Sequence, residues 1–177
     1  MGDSILDVIK KRRSIRKYNK ENVSKDLLLQ LIEVAIWAPS GSNIQPWYFI
    51  IIDDPEVLEK ITAFSPGLLG NPPNIIVLCC DKKLAFEKGG PLGRDEMCLM
   101  DISMAAQNMM LLAVEEGLVT CPVKSFNKKV VSKILKLPDH IEPELILSIG
   151  YSDKEHIPPK RKSVEEVSFY NQWKGIK

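Results

Sequence analysis

Two apolar runs set the architecture open to this chain. Trp47 to Ile52 and Asn74 to Cys80 are dense in β-branched and aromatic residues and are bounded by Pro46 and Asp53 and by Pro73 and Asp81. They are the length of buried strands and fall far short of the roughly 18 to 20 residues that cross a bilayer. Segments of helical periodicity separate the strand-like runs. Ile5, Leu6, Val8 and Ile9 share a helical face within residues 3 to 13, ahead of the basic run Lys10 to Arg13. Ser24 can cap a second helix carrying Leu27, Leu28, Leu31, Ile32, Ala35 and Ile36, which stops near Trp37 because the residue before Pro39 avoids the helical region. Pro55 opens a helix to about Phe64, and residues 65 to 73 read as an exposed Pro/Gly-rich link. Arg94 to Glu116 is the longest helix, closed by Gly117. Leu118 to Val123 and Leu145 to Ile149 read as further strands, with a helix capped by Asn127 between them. Strands and helices alternate throughout a single domain over residues 1 to 177, with residues 158 to 177 as a tail whose Phe169, Tyr170 and Trp173 need a body or a partner to cover them.

Charge and motif content then narrow the chemistry. The 24 Lys and Arg residues balance 23 Asp and Glu, so no surplus points to nucleic acid or to acidic membranes, and any anion site must be local. Cys79, Cys80, Cys98 and Cys121 contain no Cys-x-x-Cys pair, which suggests reduced core thiols. His140 and His156 sit in loop-like sequence and predict no metal or triad site. Phosphate-binding P-loop, nucleophile-elbow and His-Glu-x-x-His patterns are absent, and Gly89-Gly90-Pro91-Leu92-Gly93 lacks dinucleotide-binding spacing. The amino-terminal residues show no secretory apolar region, and the chain reads as cytoplasmic.

Three stretches could form a site. Arg12-Arg13-Ser14-Ile15-Arg16 offers guanidinium forks and a hydroxyl suited to phosphate oxygens, although cations also favour a helix C-terminus. Between Pro39 and Pro46, Ser40, Ser42, Asn43 and Gln45 supply donors and acceptors that could read a heterocycle edge or simply build a turn. Lys160-Arg161-Lys162 could join the first cluster or keep the tail soluble.

Taken in order, these stretches resemble the nitroreductase family. The likeness runs from Arg12-Arg13-Ser14-Ile15-Arg16 through Ala38-Pro39-Ser40-Gly41-Ser42-Asn43-Ile44-Gln45-Pro46-Trp47. It continues through Ala105 to Ala113, Glu116-Gly117-Leu118, Ser148-Ile149-Gly150-Tyr151 and Pro159 to Val167. The resemblance implies an α+β fold with a mainly antiparallel sheet wrapped by helices and two intertwined chains, with FMN at the homodimer interface. It implies that Arg12, Ser14 and Arg161, with Lys160, hold the FMN phosphate, that Arg13 is among the cofactor-binding residues, and that Arg16 approaches the pyrimidine side of the ring as the catalytic charge. Pro39, Ser40, Gly41, Ser42, Asn43 and Gln45 would reach the flavin from the other subunit. Asn74 or its neighbour Asn71 would meet the ring, and backbone groups of Lys124 and Ser125 would lie at its reactive edge. Lys124 stands where several relatives carry an acidic residue, and the short 82 to 94 connection suggests an open flavin face.

The family chemistry would be a ping-pong transfer from NADH or NADPH through flavin N5 to a small nitroaromatic or quinone acceptor. An FMN storage, sensor or carrier protein is the alternative, and dehalogenation or flavin breakdown a third. Steady-state NAD(P)H oxidation separates turnover from storage.

Overall fold

A computed structural model describes residues 4–154, 157–173 and 175. Helix α1 (Ile5–Lys11) starts with a reciprocal capping box: the Asp7 amide donates to the Ser4 hydroxyl and the Ser4 amide to the Asp7 carboxylate. Helix α2 (Lys25–Ala35) begins where the Ser24 hydroxyl takes the Leu27 amide, and it buries Leu28, Leu31 and Ala35. A 3-10 turn, Gly41–Asn43, leads into strand β1 (Trp47–Ile52), and helix α3 (Pro55–Ala63) follows from an Asp54 cap. Strand β2 (Asn74–Asp81) is buried along its whole length. Helix α4 (Lys82–Leu92) is bent at Gly90, continues as a π-helical turn over Gly93–Met97, and passes into helix α5 (Cys98–Glu115). Strand β3 (Val119–Val123), helix α6 (Lys128–Ile134), strand β4 (Ile141–Gly150) and helix α7 (Val164–Val167) complete the order.

The four strands form one antiparallel sheet in the order β1-β2-β4-β3. β2 and β4 lie in the middle, which explains why the apolar run at Asn74 is continuous rather than alternating. One side of the sheet is covered by α2 and α5 through Leu28, Leu31, Ile102 and Met109; the other packs Ile61 of α3 and Val131 of α6 against Ile75, Val77 and Ile146. This is the α+β architecture that the family resemblance implied.

Several expectations need correction. β1 is an edge strand in the chain, so Tyr48 remains 53% exposed and only Trp47 and Ile52 at its two ends are buried. The 65 to 73 link is not an exposed tether: Ser65, Leu68 and Pro72 are buried, and the Gly67 amide donates to the Ser125 carbonyl at 3.0 Å. The 82 to 94 connection is helical. β4 starts four residues before Leu145, at Ile141. Its register against β2 shifts between Leu78 and Cys79, which face Leu145 and Pro143, so Glu144 is the extra residue of a bulge. That placement also tolerates Pro143 inside a central strand.

Lys82–Glu115 has the length and apolar composition of a membrane span, as core helices of soluble proteins also can, and 44% of its apolar window is buried. Ile102, Ala105, Ala106, Met109 and Ala113 supply the core on that helix. All four cysteines are unpaired and buried, as expected. His140 is exposed, and His156 lies outside the described residues.

Candidate functional site

The arginine segment is extended and is fixed at three points. Ser14 bridges Thr120 in parallel, and the Ile15 amide donates to the Thr120 carbonyl at 2.9 Å. The Tyr18 hydroxyl, 2.7 Å from both the Ile15 carbonyl and the Ser148 hydroxyl, ties the far end to β4. Burial pushes the Tyr18 phenol up to about 12 despite the Ser148 contact, so it serves as a neutral anchor at ordinary pH.

Successive side chains of an extended segment point to opposite faces. Arg12, Ser14 and Arg16 accordingly share one side, beside Cys121. Burial raises that thiol, while Arg16, Arg12 and Ser14 act to lower it. Arg13 turns to the other side, where it lines a hollow with Lys11, Ile15 and Val114, and its Nη1 donates to the Arg12 carbonyl at 2.6 Å. The structure therefore separates Arg13 from the rest of its expected cluster.

Two further pieces complete this face. The Gly70 backbone, at φ +82°, comes so close to the Arg16 carbonyl that an added Cβ would sit 2.0 Å from that oxygen. Gly67 in turn touches Val123 and Ser125. Residues 12 to 16, 67 to 71 and 121 to 125 thus form one continuous surface. Of the two candidate asparagines, Asn74 is only 2% exposed, and its Oδ1 accepts from the Val23 amide at 3.0 Å. Asn71 is exposed at φ +50°, so the surface position falls to Asn71. Asn74 serves the fold through that bond, and Asn71 is the accessible one of the pair.

Lys124 and Ser125 are exposed at the end of β3, and the Lys124 side chain folds back into the sheet. Its ammonium lies 2.7 Å from Oε2 of Glu144, and Lys128 reaches the same oxygen. Lys82 stands 2.9 Å from Oε1. This convergence has no short-range motif in the sequence. The bulge aims Glu144 at the end of the sheet where α4 and α6 begin, and lysines from three elements meet there.

The Pro39 to Gln45 loop stands elsewhere. Ser42, Asn43 and Gln45 all have φ between 50° and 57°, a region that residues with a Cβ adopt at a cost. The turn is held by the Gly41 amide on the buried Asp101 carboxylate at 3.1 Å and by the Gln45 amide on the Ser40 hydroxyl at 3.0 Å. Pro39, Ser42, Asn43 and Gln45 are exposed, and Ser40 and Gly41 are half-buried. The loop enters the first residue of β1, whereas Ser14 lies beside β3 and level, through Thr120, Ile149 and Asn74, with the last residues of β1. The separation is about 20 Å along the strands and about 19 Å across four strand spacings, so within one chain the two sets cannot touch one mononucleotide. Lys160 and Arg161 are exposed on the tail and make no hydrogen bond or ion pair to the arginine segment among the described residues.

The model of the nitroreductase family matches residues 9–69 and 62–151. The chain belongs to the nitroreductase family. A relative in Methanothermobacter thermautotrophicus, provisionally named an NADH dehydrogenase/NAD(P)H nitroreductase, is 32% identical over 153 residues, spanning 83% of this chain and 76% of that one. An FMN reductase (NADPH) of Bacillus subtilis is 27% identical over 190 residues, spanning 94% and 75%. A solved nitroreductase family protein from Clostridium difficile matches with a TM-score of 0.83 at 30% identity, over 97% of this chain and 99% of that one. In this nitroreductase-family chain the matched region contains the arginine segment, the Pro39 loop, the 67 to 71 turn and Glu144, and it ends before the tail.

Proposed function

We propose that this chain is an FMN-dependent oxidoreductase that draws a hydride from NADH or NADPH and delivers electrons to small nitroaromatic or quinone acceptors in a ping-pong cycle. Its relatives, which include an FMN reductase (NADPH) and a provisionally named NAD(P)H nitroreductase, support this class. The observation that carries the reading is the single face formed by Arg12, Ser14 and Arg16. Among the described residues neither arginine is paired with a carboxylate, so the face holds uncompensated positive charge beside a hydroxyl. That donor set fits a phosphate dianion with a ring lying alongside it.

Bound FMN supplies the hydride acceptance and electron transfer that no side chain here performs. Arg12 and Ser14 hold the phosphate, with Lys160 and Arg161 of the tail adding charge. Arg16, fixed by Ile15 and Tyr18, presents its guanidinium toward the pyrimidine side and stabilises negative charge developing there. The turn at Asn71 and the backbone of Lys124 and Ser125 border the ring, and the Lys124 staple to Glu144 keeps that border from shifting. A second copy supplies Pro39, Ser40, Gly41, Ser42, Asn43 and Gln45, which the arginine face of the same chain cannot reach. Trp37, 81% exposed beside that loop, and Ile5, Leu6 and Ile9 on α1 leave apolar surface for the partner to cover.

Titration with FMN and with riboflavin tests the assignment. Arg12→Ala should weaken FMN binding at least tenfold and leave riboflavin binding nearly unchanged. Equal losses for both flavins would remove the phosphate from this face.

A further inference from the structure

A hollow of about 530 Å³ opens along α6 and shares no lining residue with the arginine face. Lys129, Ser132, Lys133 and Lys136 line one wall at helical spacing, with Lys128 at its head. Asp139 and Glu142 are the acidic residues of the lining, so four lysines face two carboxylates. Lys128 is already engaged, bonded to Glu144 and 3.8 Å from Glu142. Lys129, Lys133 and Lys136 have no carboxylate within ion-pair distance among the described residues.

The backbone supplies an independent observation. α6 ends in a Schellman motif, with the Leu137 amide on the Ser132 carbonyl at 2.9 Å and the Lys136 amide on the Lys133 carbonyl at 3.2 Å. The residue that must turn left-handed is Lys136, at φ +53°. α5 ends in the same motif, with Leu118 on Ala113 at 2.7 Å and Gly117 on Val114 at 3.2 Å, and there the left-handed residue is a glycine at φ +69°. At the second site the chain keeps a lysine where glycine would relieve the conformation, and that lysine lines the hollow.

We propose that the α6 hollow binds a diphosphate group, with Lys129, Lys133 and Lys136 as counter-charges and the Ser132 hydroxyl as a donor. Three mobile ammonium groups match a multiply charged anion whose oxygens point in several directions, and the hollow has the volume of a small-ligand site. The diphosphate could belong to the dinucleotide donor or to a free nucleotide. Only the donor source rests on the proposed function, through Lys128 and Lys124, which share Glu144 next to the expected reactive edge.

Calorimetric titration of the purified protein with inorganic pyrophosphate, FMN present in excess to fill the arginine face, tests the site. Lys136→Gly should raise the melting temperature and weaken pyrophosphate binding about tenfold, while Arg12→Ala leaves that binding in place. Absence of binding at millimolar pyrophosphate, or equal affinity in Lys136→Gly, would overturn the proposal. These readouts stand whether or not the chain turns over. Kinetics then distinguish the sources: a KM rise in Lys136→Gly for NADH but not for reduced nicotinamide mononucleotide, which lacks the diphosphate bridge, marks the donor. Unchanged KM values for both, with pyrophosphate binding still lost, mark a free nucleotide.

Discussion

The Lys124 ammonium lies 2.7 Å from Oε2 of Glu144 and 2.7 Å from the Glu144 main-chain oxygen, which staples the turn after β3 into the bulge of β4. Glu144 is 2% exposed. Burial alone would raise its carboxyl, but hydrogen bonds from Lys124, Lys128 and Lys82 outweigh burial and hold it at about 2. Its pKa is therefore depressed on folding from an ordinary 4.5, so the stabilisation is complete above that pH and is lost as pH falls toward 2. Glu144→Gln leaves three lysines around a neutral amide and should cost about 3 kcal/mol at neutral pH, the low end for breaking a buried pair because Lys124 and Lys128 reach water. Urea denaturation should show this gap closing between pH 4.5 and 2. A gap that stays constant across that window would mean that the lysines do not set the carboxyl's charge.

Gly70→Ala should displace the arginine segment. The added Cβ would meet the Arg16 carbonyl oxygen at 2.0 Å, a backbone atom that cannot swing aside, and φ +82° adds its own penalty of roughly 1 kcal/mol. Flavin content per folded chain should fall markedly, with a lower melting temperature. Full flavin content would mean that Arg16 does not need this turn to position it.

The two asparagines should separate cleanly. Asn74→Ala leaves the buried Val23 amide without its acceptor and should cost about 1 to 3 kcal/mol in chemical denaturation, with flavin affinity of the folded protein retained. Asn71→Ala, at an exposed turn with φ +50°, should cost no more than about 1 kcal/mol and alter the flavin absorption band. The reverse pattern would return Asn74 to the site.

Much of the fold was legible because its signals are local. Ser24 and Asn127 cap helices where their positions predict, and Gly117 ends α5 in the left-handed conformation expected of it. What stayed hidden depends on distant partners. Nothing near Glu144 in the chain announces Lys82, Lys124 and Lys128, because a bulge in β4 brings them together. Glu142-Pro143-Glu144 reads locally as a loop, which delayed the expected start of the strand. The arginine motif does not itself show the two faces that divide Arg13 from Arg12, Ser14 and Arg16, which follow from its extended pairing with Thr120. The 65 to 73 link has loop composition and is nonetheless docked through Gly67 and Ser125.

Thiol chemistry provides a check on packing. Cys80 lowers the Cys98 thiol, burial opposes, and the Lys82 ammonium at 3.3 Å assists. Such a thiol would react quickly if exposed, yet all four cysteines are buried. An aromatic disulfide reagent at pH 8 should therefore find almost no reactive thiol in the native protein and 4 after unfolding. One thiol reacting rapidly in the native state would contradict the packing of α5 against β2.

The tail offers a test of assembly. Tyr170 and Trp173 are exposed in the single chain, and the ring centres of Phe169 and Trp173 lie 4.3 Å apart. Removing residues 168 to 177 should weaken dimerisation in sedimentation while sparing the flavin spectrum of the remaining dimer. Undiminished dimerisation would assign the tail another role.

The account turns on a bound flavin that takes electrons from a nicotinamide donor. Visible absorption of the purified protein during anaerobic titration with NADH and then NADPH measures this directly. Prompt bleaching of the bound flavin band by at least one donor is the predicted result. Bound flavin that stays oxidised with both donors would contradict the oxidoreductase reading and leave a flavin-storing or flavin-sensing protein in its place.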